Sequence, residues 1–234
     1  MITIYPEKSR YTAQHGWLTS NFSFSFAEYF DPNNTQFGPL RVFNDDVVQP
    51  QRGFGSHPHK EMEIVSIVLE GHLKHEDSTG ETAVTSFGEV QRMSAGTGVI
   101  HSEVNPSSEE PVNFLQLWFM PEENGLKPEY ETSAFNTEAL SEQLVPIVSK
   151  KYAKPGEVAA IHQDLTIYMS DIQPAKELSF LQEADRRTYL FIINGEAAVN
   201  EYEMKTRDSA RITDETDLVI SSDEGARIIL IDLP

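Results

Sequence analysis

Short stretches rich in aromatic and β-branched residues recur along the chain, and each ends in a turn sequence. Between positions 22 and 26 phenylalanine alternates with serine, which predicts a strand with one buried face. Further strands are predicted at 40–46, 63–69, 82–87 and 113–119. Short strands separated by turns every 8–12 residues or so are typical of sandwiches and barrels. We therefore predict an all-β fold.

The rhythm of strands and turns is interrupted once and then resumes. Segment 121–128 contains two prolines and a glycine and is interpreted as a linker, and a weak helical pattern follows at 137–144. Beyond it, the apolar run and glycine at 191–195 are similar to those at 67–71. We predict a pair of β-barrel domains of similar plan, 1–131 and 132–234, joined by short helical connections.

The composition of the chain limits the cellular environments and the binding partners that we expect for the protein. The chain of 234 residues has no cysteine, which excludes disulfides and thiolate metal sites. It shows no signal-peptide pattern and no apolar run of about 20 residues, so we predict a soluble, cytoplasmic protein without a membrane partner. The 18 basic residues are outnumbered by 37 acidic ones, giving a net charge of −19 that disfavours direct nucleic-acid binding. The lack of a long exposed apolar run favours a monomer.

Two pairs of possible metal ligands lie within segment 53–105. His57 and His59 are two residues apart, as are His101 and Glu103. Residues at this spacing point to the same face of a strand, so the four side chains can converge if both segments are strands of one barrel. Three imidazole nitrogens and one carboxylate suit a divalent ion such as iron, nickel, copper, zinc or manganese. The spacing predicts a mononuclear metal site in the first domain and none in the second, which lacks such pairs.

Two ambiguities remain at this level. Glu63 follows His59 by four residues and is either a competing ligand or a residue that orients a ligand imidazole. Gln116 and Trp118 share one face of a predicted strand, where they either pack in the core or line a pocket. Core packing is the expected role for both. The histidines at 72 and 75 are expected to be exposed or paired, without a part in the site.

These motifs resemble those of the cupin superfamily, and the resemblance implies that the two predicted barrels form a bicupin of double-stranded β-helix domains. The first cupin motif is matched by Gly53, His57, His59, Glu63 and Gly71, and the second by Gly88, Gly96, His101 and Asn105, with Ser94 where proline is usual. More narrowly, the chain resembles the pirin family. The stretches that carry this resemblance are HGWL (15–18), FSFAEYFDP (24–32), GPLRV (38–42), HPH (57–59), SAGTG (94–98), HSE (101–103), QLW (116–118), MP (120–121) and YE (130–131).

The resemblance implies a ligand set and a metal. Pirin ligands fall on His57, His59, His101 and Glu103, in agreement with the spacing argument. The implied metal is Fe(II), although copper, nickel, manganese, zinc or cobalt also suit such a site. One departure is the pair Asn21-Phe22, which stands where pirins often place a histidine. That position is not a ligand in the family, so the departure concerns pocket shape.

The resemblance also implies an activity, quercetin 2,3-dioxygenase, found in bacterial members of the family. The substrates would be O2 and a small aromatic flavonol, with Glu103 as the base that accepts the hydroxyl proton. Pirins also resemble non-enzymatic transcription cofactors in which the metal senses redox state for a protein partner, and an idle metal in a storage-like cupin is a third alternative. An enzyme needs a cavity beside the metal, whereas a partner-binding protein needs an exposed apolar patch.

Overall fold

The computed structural model describes residues 1–141 and 143–234, and within them it is almost entirely β-structure. In chain order the strands are β1 (Ile2–Tyr5), β2 (Tyr11–Gln14), β3 (Leu18–Phe22), β4 (Leu40–Val48), β5 (Gly53–His59), β6 (Glu63–Glu70), β7 (Leu73–Asp77), β8 (Thr82–Thr85), β9 (Glu89–Ser94), β10 (Val99–Val104), β11 (Val112–Phe119), β12 (Glu129–Ala134), β13 (Val145–Ser149), β14 (Thr166–Ile172), β15 (Lys176–Leu181), β16 (Arg187–Gly195), β17 (Ala197–Val199), β18 (Tyr202–Met204), β19 (Ser209–Thr213), β20 (Asp217–Ser222) and β21 (Ala226–Leu233). Short 3-10 helices occupy Glu7–Ser9 and Glu138–Ser141.

The chain forms two compact units whose segments alternate along the sequence. The N-terminal unit comprises Tyr11–Phe135 and Ala153–Gln163, and the C-terminal unit comprises Met1–Arg10, Asn136–Tyr152 and Asp164–Pro234. The predicted domains were continuous in sequence, with a boundary after residue 131. That boundary stays a prediction.

The N-terminal unit contains two antiparallel sheets among the described strands. The larger has the order β12-β9-β6-β11-β4-β3-β2, and the smaller has the order β5-β10-β7-β8. One apolar cluster of this unit consists of Leu18, Val48, Val68, Leu73, Val112 and Phe114, against which Trp17 and Phe54 pack. A second consists of Ile64, Met93, Ala95 and Val99, joined by Met62, Trp118 and Tyr130. Burial of these side chains is the main stabilising contribution to the unit.

The C-terminal unit repeats this plan with sheets of the order β1-β19-β16-β21-β14-β13 and β15-β20-β17-β18. Its fourteen-residue buried cluster is built mainly from isoleucine, leucine and valine, and partly buried side chains such as Tyr168 and Phe180 pack against it. The apolar positions alternate along β20, where Leu218 and Ile220 are buried and Val219 is exposed. This is the period-two pattern of a strand with one buried face.

Most predicted strands are confirmed, as is the all-β fold class. The runs at 40–46, 63–69, 82–87 and 113–119 correspond to β4, β6, β8 and β11. The predicted strand at 22–26 is wrong beyond its first residue, because β3 ends at Phe22 and the backbone then turns. Phe24 is nevertheless fully buried, so the alternation of phenylalanine and serine correctly indicated a buried side chain but not a strand.

The predicted helical connection is confirmed in a shorter form. Of the predicted stretch at 137–144, Glu138–Ser141 form a 3-10 helix, and residue 142 lies outside the described residues. Leu140 of this helix is buried and anchors it. No helix in the described ranges is long and apolar enough to cross a membrane.

Candidate metal centre

Antiparallel pairing of β5 with β10 brings the two histidine motifs together. His57 lies directly opposite His101, and the register then shifts so that Glu103 lies opposite Phe54. A Cβ atom at Gly53 would collide with the backbone of Glu103 and its neighbour, so glycine permits this close approach. Register and spacing together place the predicted ligands on adjacent strands, as the sequence implied.

Three of the predicted ligands form a compact cluster. Ligand nitrogens of His57, His59 and His101 all lie within 4.8 Å of one another. The Nε2 atoms of His57 and His101 are 3.1 Å apart, and their ring centroids are separated by 4.5 Å. Such a group of imidazoles has the size of a metal ligand set.

The hydrogen bonding of His57 and His59 leaves one ring nitrogen of each available to a metal. His57 Nδ1 lies 2.7 Å from the Gly55 carbonyl oxygen, so Nδ1–H donates and the Nε2 lone pair is free in the neutral ring. His59 Nε2 is buried and has no hydrogen-bond partner among the described residues. A buried polar atom without a partner is costly, and a cation bound by both nitrogens would remove that cost. The residues therefore fit a bound metal.

The protonation state of the imidazoles in the cluster also favours metal binding. Burial and the nearby His57 lower the pKa of His59 to about 4. Burial and the neighbouring imidazoles of His57 and His59 lower the pKa of His101 to about 2. Neutral imidazole is the form that binds metals, so both rings are ready to act as ligands at neutral pH.

Glu103 is buried beside this cluster but is not part of it. The Ser66 hydroxyl lies 2.7 Å from Glu103 Oε1, and the Gln116 amide nitrogen lies 2.6 Å from Oε2. These donors hold the carboxylate in one orientation on β10. Its role as the fourth ligand stays a prediction.

The imidazoles and Glu103 open onto a cavity of about 480 Å³. Five aromatic residues that line this cavity are together called the aromatic wall: Trp17, Phe22, Phe26, Phe54 and Trp118. The ring of Phe26 meets that of Trp118 edge to face, with centroids 5.3 Å apart. Gln116 and Trp118 both line this cavity, which is the second of the two roles left open by the sequence, and Trp118 also packs against the apolar cluster that contains Ile64.

Glu63 lies away from the cavity. Its carboxylate accepts hydrogen bonds from the Ser94 hydroxyl at 2.9 Å and from the backbone N–H of His162 at 3.2 Å. Glu63 and Ile64 are consecutive residues of β6 and so point to opposite faces, and Ile64 is the one that lines the cavity. The contacts of Glu63 are those of a buried structural carboxylate, and none of them is with a ligand imidazole.

His75 is paired, as expected, but it is also part of the site, which the sequence did not indicate. On β7 it lies opposite Glu103, and its Nδ1 atom is 3.4 Å from Nδ1 of His101. Its Nε2 atom is 3.0 Å from Asp77 Oδ2. Although burial opposes it, hydrogen bonds from Thr79 and His75 lower the pKa of Asp77. His72, by contrast, is exposed.

A second buried carboxyl group, Asp46 on β4, lines the cavity with Glu103. It accepts a hydrogen bond from the Ser20 hydroxyl. Burial, with smaller contributions from Asp45 and Glu103, raises the pKa of Asp46 from 3.8 to about 7. The strand predicted at 40–46 includes Asp46, but the sequence gave no reason to connect this residue with residues 57 to 103.

We expect Asp46→Asn to flatten the pH dependence of stability of the metal-free protein. The folded state holds a proton on Asp46 between pH 4 and pH 7, roughly, and the unfolded chain does not, so the wild type loses stability as pH rises through this range. Asparagine has no such proton, and the loss should shrink by on the order of 4 kcal/mol. Urea unfolding of both proteins from acid to alkaline pH measures this. Asp223→Asn, at an exposed site, should behave as wild type, and parallel curves for Asp46→Asn would contradict the assignment.

Family models match most of the chain. The pirin model matches residues 6–119, and the model described as the quercetinase C-terminal cupin domain matches residues 147–233. A quercetin 2,3-dioxygenase of Escherichia coli K12 is 41% identical over 238 residues, covering 100% of this chain and 99% of that protein.

Solved structures agree with the family models. A bacterial pirin of Escherichia coli, YhhW, crystallised in complex with nickel(II), is 41% identical, with a TM-score of 0.93 and coverage of 100% of this chain and 99% of that one. A quercetin 2,3-dioxygenase of Acinetobacter baumannii, 19% identical, shares the fold with a TM-score of 0.78, over 98% of this chain and 85% of its own. The resemblance and the bicupin fold predicted from the sequence are confirmed, and the chain belongs to the pirin family of cupin proteins.

Proposed function

We propose that this protein is a metal-dependent dioxygenase that cleaves a flavonol such as quercetin with O2, with His57, His59, His101 and Glu103 around the metal. The observation that carries the proposal is the cluster of imidazoles with free lone pairs at one end of an aromatic-walled cavity. The predicted quercetinase-like activity agrees with the name of the E. coli relative.

The cavity suits a planar aromatic substrate. Its volume of about 480 Å³ falls in the range of about 300–1,000 Å³ typical of small-molecule sites. Aromatic side chains pack well against flat rings, and the aromatic wall supplies five of them. Buried acceptors, among them the unpartnered Oδ1 atom of Asn44, also line the cavity and could receive substrate hydroxyl groups.

The chemistry assigns a proton transfer to Glu103. A divalent ion, when bound, supplies the positive charge that favours a deprotonated flavonol hydroxyl and a place for O2 beside it. Glu103 accepts the hydroxyl proton, while Ser66 and Gln116 hold its carboxylate toward the cavity. The aromatic wall excludes water from the substrate anion. The balanced reaction consumes one O2 and gives one depside and one carbon monoxide.

The identity of the metal is a separate part of the proposal. Fe(II) is the ion that the family resemblance implies, and the E. coli relative was crystallised with nickel(II). Imidazole and carboxylate ligands suit several first-row ions, so the ligand set alone does not choose between iron, copper, nickel, manganese, zinc and cobalt. A monomeric state without nucleic-acid or membrane partners also stays a prediction.

The rival function, a non-enzymatic redox sensor that binds a protein partner, would use the same ligands. A cavity of this volume beside the imidazoles is what catalysis requires and a docking protein does not. The cavity therefore supports the enzyme over the rival.

Oxygen consumption tests the proposed reaction. The protein is freed of metal, reloaded separately with iron, copper, nickel and manganese, and mixed with quercetin in an oxygen-electrode cell. We expect O2 uptake with at least one ion, matched by loss of quercetin and release of carbon monoxide in equal amounts. If none of the correctly loaded forms consumes O2, flavonol cleavage is wrong and the redox-sensing function becomes the leading account.

A further inference from the structure

We propose that Asp77 and His75 are positioning residues that fix the tautomer of His101, with the proton on Nδ1 and the lone pair on Nε2, facing His57. The inference rests on the metal site of the proposed function but not on its substrate. The three residues are named here the Asp77–His75–His101 chain, and they lie on the neighbouring strands β7 and β10.

The first member of the chain, Asp77, is an ionised carboxylate, which accepts hydrogen bonds and cannot donate one. Asp77 Oδ1 accepts hydrogen bonds from the backbone N–H of Thr79 at 2.8 Å and from its hydroxyl at 2.6 Å. Oδ2 faces His75 Nε2 at 3.0 Å. The side chains of His75 and Asp77 are 2% and 1% exposed, so water does not compete for this bond. The ionised carboxylate only accepts, and His75 therefore carries its proton on Nε2.

The position of the proton on His75 determines which ring nitrogen of His101 carries a proton. A neutral His75 with its proton on Nε2 has a lone pair on Nδ1, which lies 3.4 Å from Nδ1 of His101. His101 must then donate from Nδ1, which leaves its Nε2 atom unprotonated. That nitrogen faces His57 Nε2 at 3.1 Å, where the metal would bind. The tautomer of a ligand histidine is in general set by the hydrogen bond that its other nitrogen makes.

Packing holds the middle ring in place. The His75 ring stacks on Tyr130 with centroids 4.0 Å apart and an angle of 12° between the planes. Its centroid is 5.2 Å from that of His101. The stack restricts rotation of His75, so its two nitrogens stay directed at Asp77 and His101.

Asp77→Asn is the most informative variant, because an amide can reverse the direction of the hydrogen bonds along the Asp77–His75–His101 chain. Its oxygen can still accept from Thr79 while its NH2 group donates to His75 Nε2, which moves the proton of His75 to Nδ1. Two N–H groups would then meet, and His101 would shift its proton to Nε2, the nitrogen that the metal needs. A wrong tautomer of this kind is a known cause of large losses in histidine-dependent sites.

Two measurements read the outcome. Long-range proton–nitrogen NMR of the metal-free protein should show His101 protonated on Nδ1 in the wild type and on Nε2 in Asp77→Asn. Competition titration with Ni(II) should show affinity reduced about 10–100-fold in Asp77→Asn and in His75→Phe, which keeps the stack on Tyr130 but loses the acceptor. His75→Asn, whose side-chain oxygen can accept from His101, should recover part of the affinity.

The control is Glu76→Gln, which removes a neighbouring exposed carboxylate on the same strand and should bind Ni(II) as the wild type does. A wild-type His101 with its proton on Nε2 would overturn the proposal, as would wild-type Ni(II) affinity in folded Asp77→Asn and His75→Phe. Failure of the flavonol reaction would not affect these readouts, so the two proposals fail separately.

Discussion

Replacing His101 with alanine is expected to abolish stable metal binding and, with it, all oxygen consumption. The cluster would lose the imidazole nearest to His57, with Nε2 atoms 3.1 Å apart, and only two imidazoles and Glu103 would remain of the four proposed ligands. Changes to residues that only support a ligand cost about 10–100-fold in affinity, so loss of the ligand itself should cost more than about a hundredfold. Competition titration with Ni(II), and metal content after desalting, measure the effect.

The matched control for this prediction is His72→Ala, which removes an exposed histidine just before β7. It should bind Ni(II) with wild-type affinity and keep the wild-type oxygen-uptake rate. Wild-type affinity in a folded His101→Ala protein would show that the ion binds elsewhere. Because His101 is buried, thermal unfolding should be recorded for both variants to verify that they fold.

Glu103→Gln is expected to lower kcat by about 10²–10⁴-fold, the usual contribution of a general base. Glutamine preserves the size of the side chain but cannot accept the hydroxyl proton. Activity is compared at saturating metal and saturating quercetin, so that weaker metal binding is not mistaken for slower chemistry. Reduced metal affinity of the same variant would independently support Glu103 as the fourth ligand.

Glu109→Gln, at an exposed position in the loop after β10, is the control for the loss of a negative charge. It should leave kcat within error of the wild type. If metal-saturated Glu103→Gln kept the wild-type kcat, Glu103 would not be the base. Asp46 would then be the next residue to test, because it is the other buried carboxyl group identified in the cavity.

The histidine cluster could be predicted from the sequence because its information is local. His57 and His59 occupy alternate positions of one strand, as do His101 and Glu103, and a strand directs such positions to one face. Gly53 of the first cupin motif permits the close approach of β5 to β10. Glu103 lies beside the cluster, and its role as a ligand stays a prediction.

The supporting residues could not be predicted because their roles depend on pairing between distant strands. His75 contacts His101 only because β7 pairs with β10 in one register, and a shift of one residue would turn it away. Asp46 joins the cavity through the order of β3, β4 and β11 in the larger sheet. No local pattern carries that information.

Period-two alternation failed as a guide where the chain turns. Phe24 was placed in a strand by extending the alternation past Phe22, and the even spacing of Glu63 from His59 crosses a turn between two strands. β3 ends at Phe22, and a turn separates β5 from β6, with Glu61 at a φ of 50°. Alternation identifies buried positions well, but beyond a turn it no longer predicts which face of a sheet a residue occupies.

The central claim, that this cavity cleaves a flavonol with O2, is tested most directly by the products formed from isotopically labelled dioxygen. Metal-loaded protein is given quercetin under labelled O2, and the depside and carbon monoxide are analysed by mass spectrometry. The account predicts both labelled atoms in the depside, none in the carbon monoxide, and no labelled product with His101→Ala. A product that carries only one labelled atom, or oxidised quercetin without carbon monoxide, would contradict dioxygenase chemistry at this site.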